Sequence, residues 1–276
     1  MASGKAAPSD VSALYDGIAQ VVSATWGSDL HFGYWESEQD TSSVTEATER
    51  LTDMMTAGLS LAPGQRVLDI GCGIGNPAMR VLGAHDVTVQ GITVSEAQVA
   101  EATARAAAAG LGDRATFRYA DAMDMPFPDA SFDGAWALES MAHMPDCERM
   151  LAETARVLRP GARLAVADLI ERGPVGPDAR EAVDRIRETF ALHTLGTVRQ
   201  YEQWLTASGF VDVRIQDISD HVLPRTGVLM ADAVARAHDK LLEYVTEEQA
   251  DAIIATMRMT AVTPAVGYMF LTAVRS

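Results

Sequence analysis

Cysteine, positive charge and long apolar runs are all scarce in this chain of 276 residues. Its two cysteines, Cys72 and Cys147, have no metal-ligand spacing, and free thiols suit a reducing cytoplasm, although a disulfide between them stays open. Lysine and arginine number 22 against 38 acidic residues, and the net charge of -16 argues against nucleic acid or an anionic membrane as partner. We expect no metal site, no signal peptide in residues 1–10 and no membrane span, since no apolar run approaches ~20 residues.

Apolar runs that alternate with helical patterns predict an α/β protein with a parallel sheet. The first strand begins at Val67, and later strands are expected at 87–93, 116–119, 132–138, 163–169, 211–218 and 267–273. Helices are expected at 11–24, 45–60, 95–109, 147–158, 199–208, 227–244 and 246–259.

The stretch 67–76, VLDIGCGIGN, carries the most specific signal in the chain. A buried strand runs into three glycines, Gly71, Gly73 and Gly75, and such a strand-to-helix turn is where open α/β sheets bind nucleotides. The spacing differs from the G-x-G-x-x-G of dinucleotide folds, and the Gly-Lys-Ser/Thr ending of a phosphate loop is missing. Asp69, at the strand end, suits a ligand with a cationic amino group. A tight turn packed for its own sake is the alternative.

The second strand end, at 91–98, lacks the acid with which many nucleotide-binding proteins hold both ribose hydroxyls. Thr93, Ser95 and the amide of Gln98 could bind the ribose instead, although Ser95 could equally do no more than cap the following helix. After the third strand, Asp121 can accept from the exocyclic amine of adenine while the backbone N–H of Ala122 donates to a ring nitrogen. An Asx-turn without a ligand is the alternative there.

Three ionisable residues follow the fourth and fifth strands, at the edge where α/β sheets bind ligands. Glu139 and His143 come after the fourth strand, and His143 is suited to accept a proton near neutral pH. Asp168 lies near the end of the fifth strand and could orient or activate a hydroxyl. Each has an ordinary alternative, since His143 could be a surface residue and Asp168 a turn-forming or capping acid.

Together these motifs resemble the class I S-adenosylmethionine (SAM) methyltransferases, and in particular the sugar O-methyltransferases of the rebeccamycin type and related natural-product tailoring enzymes. The similarity is carried by residues 30–35, 67–76, 91–98, 120–127 and 136–145. It implies a Rossmann-like sheet of seven mostly parallel strands with helices on both faces and a helical lid. It also implies SAM as cofactor, S-adenosyl-L-homocysteine as product, a small-molecule acceptor, and hydroxyls from Tyr15 and Tyr34 for the SAM carboxylate.

The same resemblance divides the chain into a flexible arm at 1–10 and a single domain at 11–276. Within that domain we expect a helical lid at 11–62, a SAM-binding core at 63–175, and acceptor-binding helices with the last strands at 176–276. The oligomeric state stays open between a monomer and a homo-oligomer.

One departure from the family concerns the catalytic base. Rebeccamycin-type enzymes carry two adjacent histidines after the fourth strand, of which the first is regarded as the base and pairs with an aspartate on the fifth strand. Here Ala142 stands at the first position, while His143 matches the second histidine and Asp168 the aspartate. We expect O-methylation of a glycoside or related secondary metabolite, with His143 as base. C-methylation of a terpenoid or other alkene, with Glu139 stabilising positive charge, and a SAM-binding pocket without methyl transfer stay open.

Overall fold

The computed structural model describes residues 31–276, so the helix expected at 11–24 and Tyr15 lie outside the described residues. Seven strands form one open sheet in the order β3-β2-β1-β4-β5-β7-β6. All neighbouring strands are parallel except β7, which is antiparallel to both β5 and β6. The strands are β1 (Arg66–Ile70), β2 (Thr88–Thr93), β3 (Ala115–Tyr119), β4 (Phe132–Leu138), β5 (Leu158–Glu171), β6 (Phe210–Asp217) and β7 (Val266–Arg275). The expected sheet of seven mostly parallel strands is confirmed.

Helices cover both faces of this sheet. Consecutive strand residues such as Val67 and Leu68 belong to two different clusters of buried apolar side chains, as expected for strands that are buried on both faces. None of the helices in residues 31–276 is long and apolar enough to cross a membrane. The helices are α1 (Val44–Leu59), α2 (Asn76–Ala84), α3 (Glu96–Ala108), α4 (Cys147–Val157), α5 (Pro177–Thr189), α6 (Val198–Ala207), α7 (Ser219–Arg236), α8 (His238–Leu241) and α9 (Glu247–Thr260), with a 3-10 turn at Met141–His143.

The strand order fixes where a ligand can bind. β1 lies between β2 and β4, so the chain leaves β1 toward one side of the sheet and later returns to its other side. A crevice opens outside the carboxyl ends of the strands at such a switch point. The loops that follow β1, β2, β3 and β4 therefore meet at one edge of the sheet.

The bounds predicted for the helix at 227–244 were wrong. Helix α7 begins at Ser219, continues through Pro224 and ends at Arg236, and the separate short helix α8 follows. Proline usually interrupts a helix because it has no N–H to donate. Here tertiary contacts secure the first turn, since the Ser219 hydroxyl accepts a hydrogen bond from the Tyr268 amide at 2.8 Å and the His221 carbonyl accepts one from the Trp35 amide at 2.9 Å.

Candidate active site

A cavity of about 530 Å³ opens at the carboxyl ends of the central strands. Part of its wall consists of polar and glycine residues from the loops after β1, β2, β3 and β4, and another part consists of apolar side chains. The predicted site residues on the wall are Asp69, Gly71, Gly73, Thr93, Gln98, Asp121, Ala122, Glu139, His143 and Asp168. Sequence reasoning did not single out the apolar wall residues, which include Phe32, Leu169, Phe190, Leu192, Met230, Ile253 and Met257.

The three glycines of the first loop have different structural roles. Gly71 has φ of +77°, and a β-carbon there would stand 2.3 Å from Cβ of Ser140, so the loop packs directly on the turn after β4. Gly73 has φ of +52° and a β-carbon there would meet nothing within 4 Å, which leaves its main chain open to a ligand in the cavity. Gly75 begins α2 as its N-cap and is absent from the cavity wall.

Asp69 ends in the cavity with an unsatisfied oxygen. Its side chain is 2% exposed, and Oδ2 has no hydrogen-bond partner within residues 31–276. Burial raises the pKa of Asp69 to about 8, against a smaller lowering by the indole of Trp136. That indole N–H does not reach Asp69 in hydrogen-bond geometry and is itself without a partner among the described residues. A buried carboxylate oxygen without a donor favours a cationic ligand group, and the amino group of SAM is one.

Thr93 and Gln98 lie on the wall where a ribose is expected, whereas Ser95 does not. The Thr93 hydroxyl donates to Oε1 of Gln98 at 2.7 Å, which fixes the amide and keeps its NH₂ group available for a ligand. The Ser95 hydroxyl accepts a hydrogen bond from the backbone N–H of Gln98 at 3.3 Å, and Ser95 is the N-cap of α3. Ser95 therefore has the capping position, and Thr93 and Gln98 are the two side chains of this group that line the cavity.

Asp121 combines the two alternatives that its sequence allows. One carboxylate oxygen, Oδ1, accepts from the Met123 amide at 2.8 Å, which is an Asx-turn. The residue is nevertheless exposed at the cavity wall beside Ala122. A carboxylate oxygen and a backbone N–H at adjacent positions can match the donor and acceptor edges of adenine.

Glu139 is held by contacts from distant parts of the chain. Its Oε1 accepts hydrogen bonds from the Phe32 amide and the Tyr268 hydroxyl, both at 2.7 Å. Its backbone has φ of +48°, in the left-handed region that is uncommon for a glutamate. Burial raises the pKa of Glu139 to about 8, and the nearby charge of Asp168 acts in the same direction, while the two hydrogen bonds oppose them.

Asp168 does not form a direct hydrogen bond with His143. Its carboxylate instead accepts a hydrogen bond from the turn that carries His143. Asp168 is 1% exposed and accepts from the backbone amides of Ala142 at 3.0 Å and Leu169 at 2.8 Å. Burial raises the pKa of Asp168, and the amide donors and the charge of His143 lower it. Nδ1 of His143 lies 3.3 Å from the carbonyl oxygen of Ala191. A carbonyl only accepts, so Nδ1 carries the proton in this contact and Nε2 is the basic nitrogen.

Neither predicted tyrosine is on the described cavity wall. Tyr34 stacks on the His221 ring with centroids 4.8 Å apart, and Tyr15 lies outside the described residues. The neighbours of Tyr34, His31 and Phe32, do line the cavity. Residues 30–35 contributed to the family resemblance, but their sequence did not indicate that this segment contacts the cavity.

The wall fits the groups of SAM. The unsatisfied Asp69 oxygen could pair with a cationic group, and Gly73 leaves room for close approach of a ligand. Thr93 and Gln98 have polar groups suited to a ribose, and Asp121 has a carboxylate oxygen suited to adenine. This fit rests on the unsatisfied oxygen of Asp69 and on the polar side chains that line the cavity.

Comparisons with known proteins agree with this geometry. Residues 67–161 match the family described as "Methyltransferase domain". The chain is 40% identical over 271 residues to 27-O-demethylrifamycin SV methyltransferase of Amycolatopsis mediterranei, covering 98% of each chain. It is 37% identical over 270 residues to O-methyltransferase resE of Aspergillus sclerotiorum, covering 96% of this chain and 97% of the relative. The crystal structure of the [4+2]-cyclase SpnF superposes with a TM-score of 0.81 at 31% identity, covering 95% of this chain and 92% of SpnF.

Proposed function

Since the chain belongs to the class I SAM-dependent methyltransferases, we propose that it methylates a hydroxyl group of a small, uncharged and largely apolar natural product. The observation that carries this proposal is one cavity whose wall combines polar groups suited to SAM with an apolar surface suited to an acceptor. Two free, buried cysteines, Cys72 and Cys147, accord with a cytoplasmic setting.

The cofactor would be held by the loops of residues 63–175. Asp69 would bind its amino group, Gly71 and Gly73 would lie against its methionine part, and the ribose would contact Thr93 and Gln98. Asp121 and Ala122 would read the adenine edge. When bound, SAM supplies a methyl group on a sulfonium, which is electrophilic without further activation. The chain's task is then to hold the acceptor in line and to remove its proton.

The acceptor would lie against the apolar wall. This wall combines Phe32 from the segment before α1, Phe190 and Leu192 after α5, and residues of α7 and α9, such as Met230 and Met257. Residues 176–276 would then supply most of the acceptor surface, which is the role that we expect for this part of the chain.

The charge of the wall indicates which acceptors it accommodates. Four carboxyl groups, those of Asp69, Asp121, Glu139 and Asp168, belong to the same cavity. Within residues 31–276 the wall has no lysine or arginine that could balance the charge of an anionic acceptor such as a prenyl diphosphate, whereas an uncharged acceptor needs no such partner. We therefore favour an alcohol over a phosphorylated substrate.

His143 is the proposed general base. Its Nδ1 contact with the Ala191 carbonyl orients the ring so that Nε2 can accept the proton of an acceptor hydroxyl. Asp168, buried behind the turn, stabilises the imidazolium that results. Ala142 stands where the rebeccamycin-type enzymes have their first histidine, and its backbone N–H donates a hydrogen bond to the same Asp168 carboxylate.

Two other reactions have support from specific observations. Glu139, on the cavity wall with a second oxygen that accepts no hydrogen bond from the described residues, could stabilise positive charge during C-methylation of an alkene. The similarity to SpnF, a [4+2]-cyclase, favours chemistry without methyl transfer as a further candidate.

Methyl-labelled SAM and a panel of apolar acceptors test the proposal. Each acceptor is offered as the free alcohol, as its phosphate ester and as the deoxy alkene, and the labelled atom is located by NMR. We expect label on the alcohol oxygen alone, and we expect His143→Ala to lower turnover roughly 10²–10⁴-fold with unchanged SAM affinity. Label on carbon would favour the Glu139 alternative, full turnover of His143→Ala would remove its role as base, and no transfer to any acceptor would support the third candidate.

A further inference from the structure

We propose that Tyr268 is a positioning residue that holds the Glu139 carboxylate against the cavity and thereby gives the site a preference for the cationic methyl donor over its neutral product. The inference rests on the proposed function, because it takes SAM and S-adenosyl-L-homocysteine (SAH) as the ligands. These two ligands share their adenosine, amino and carboxylate groups. They differ at the sulfur, which is a positively charged sulfonium in SAM and a neutral thioether in SAH.

The geometry of the contact is asymmetric. The Tyr268 hydroxyl and the Phe32 amide both donate to Oε1 of Glu139, each at 2.7 Å. Oε2 accepts no hydrogen bond from residues 31–276, and Glu139 lies on the cavity wall. Two donors on one oxygen orient the carboxylate and leave the other oxygen to meet a positive ligand group.

The donors are themselves fixed in place. Tyr268 is fully buried on β7, its amide donates to the Ser219 hydroxyl at 2.8 Å, and its ring stacks on Phe32 at 5.8 Å between centroids. The Glu139 amide donates to the Ala167 carbonyl of β5 at 2.8 Å. Glu139 is thus clamped between β5, β7 and the segment before α1.

The hydrogen bonds to Glu139 oppose the effect of its burial on its charge. Burial and the neighbouring Asp168 raise the pKa of Glu139 to about 8, whereas the hydrogen bonds from Phe32 and Tyr268 stabilise its ionised form. A cation in the cavity stabilises that form further, so binding of a sulfonium releases a proton below pH 8 and its affinity rises with pH in that window. The other ionisable groups on the wall are Asp69, Asp168 and Asp121 from the sheet edge, His31 from the segment before α1, and His143 from the turn after β4.

The test is the ratio of SAM affinity to SAH affinity, measured by calorimetry from pH 6 to pH 9. Because both ligands carry the same amino group, titration of Asp69 cancels in this ratio, and the sulfur charge remains. For the wild type we expect the ratio to rise with pH and to level off near pH 8. In Tyr268→Phe the ring and its stacking on Phe32 are kept, and the rising limb should move roughly one unit to higher pH, which lowers the ratio about tenfold at pH 7.

Tyr201→Phe is the matched control. Tyr201 is also a fully buried tyrosine, but its hydroxyl has no hydrogen-bond partner within residues 31–276, so its removal should leave the ratio and its pH profile unchanged. Glu139→Gln keeps the shape of the side chain and removes its charge, so its ratio should be low and should lack the rising limb that levels off near pH 8.

The outcomes separate this inference from the proposed function. If the wild type binds neither ligand, the cofactor assignment fails. If it binds SAM but Tyr268→Phe keeps the wild-type profile, the role of Tyr268 is refuted while the methyltransferase function stands. If Tyr268→Phe does not fold, as judged by thermal unfolding, Glu139→Gln decides, since a ratio that still rose to a plateau near pH 8 in this variant would also overturn the inference.

Discussion

Replacing Asp69 with asparagine should make the ligand-free protein less sensitive to pH, although it removes the proposed anchor for the cofactor. In the unfolded chain this carboxyl has an ordinary pKa of 3.8, and in the fold burial raises the pKa to about 8. A raised pKa means that the folded state holds a proton that the unfolded state has lost. The resulting stability is fully present below the unfolded pKa and is lost as the pH rises toward the folded pKa.

The magnitude follows from one proton. Between pH 5 and pH 7 Asp69 is ionised in the unfolded chain and protonated in the ligand-free fold, so the free energy of unfolding falls by about 1.4 kcal/mol per pH unit through this residue. Over those two units the loss is about 2.7 kcal/mol. Asparagine cannot ionise, so Asp69→Asn should abolish this contribution and leave at most a constant offset from the changed packing of its amide.

Urea unfolding at pH 5, 6 and 7, followed by circular dichroism without ligand, measures the effect. The difference between wild type and Asp69→Asn isolates this residue, because Glu139 and Asp168 titrate in both proteins. Asp121→Asn removes an exposed carboxyl on the same wall and is the control for loss of a carboxyl without burial. A pH-independent difference between wild type and Asp69→Asn would refute the reasoning about its burial.

Four further substitutions probe the loops. Gly73→Ala and Gly64→Ala both place a side chain at positive φ in open space and should each cost about 1–2 kcal/mol of stability. Only Gly73→Ala should weaken SAM binding in calorimetry, by roughly tenfold or more. Equal SAM affinities of the two variants would remove Gly73 from the site. Gly71→Ala should cost about 3 kcal/mol in urea unfolding because its β-carbon collides with Ser140, and near-wild-type stability would contradict that packing. Ser95→Ala should cost about 1 kcal/mol through the lost helix cap, with SAM affinity unchanged, whereas a large loss of affinity would show a ribose contact.

Local sequence patterns predicted the sheet and the glycine loop well. Apolar runs between Gly and Pro turns located β4 at its observed bounds, Phe132–Leu138, and most other strands to within two residues, because buried parallel strands are almost continuously apolar. The exception is β5, which begins at Leu158, five residues before its predicted start. The loop after β1 could be predicted from its glycines, because glycine readily adopts positive φ and lets other atoms approach its main chain closely. Local patterns failed at α7, where Pro224 masked a helix that contacts from Trp35 and Tyr268 stabilise.

The partners of the candidate catalytic groups could not be read from the sequence. Glu139 bonds to Phe32 and Tyr268, which are 107 and 129 residues away, and His143 contacts Ala191, 48 residues away. Nothing local to Glu139 indicates these contacts, which arise only when β5, β7 and the segment before α1 pack together. The apolar part of the cavity wall has the same origin, since its residues come from the segment before α1, the end of β5, the loop after α5, and helices α7 and α9.

Calorimetric titration of the purified chain with SAM and with NAD tests most directly whether the edge around Asp69 and Gly73 is a methyl-donor site. We expect saturable binding of one SAM per chain, no binding of NAD, and a marked loss of SAM affinity in Asp69→Ala. Binding of NAD without binding of SAM, or unchanged SAM affinity in Asp69→Ala, would contradict that site.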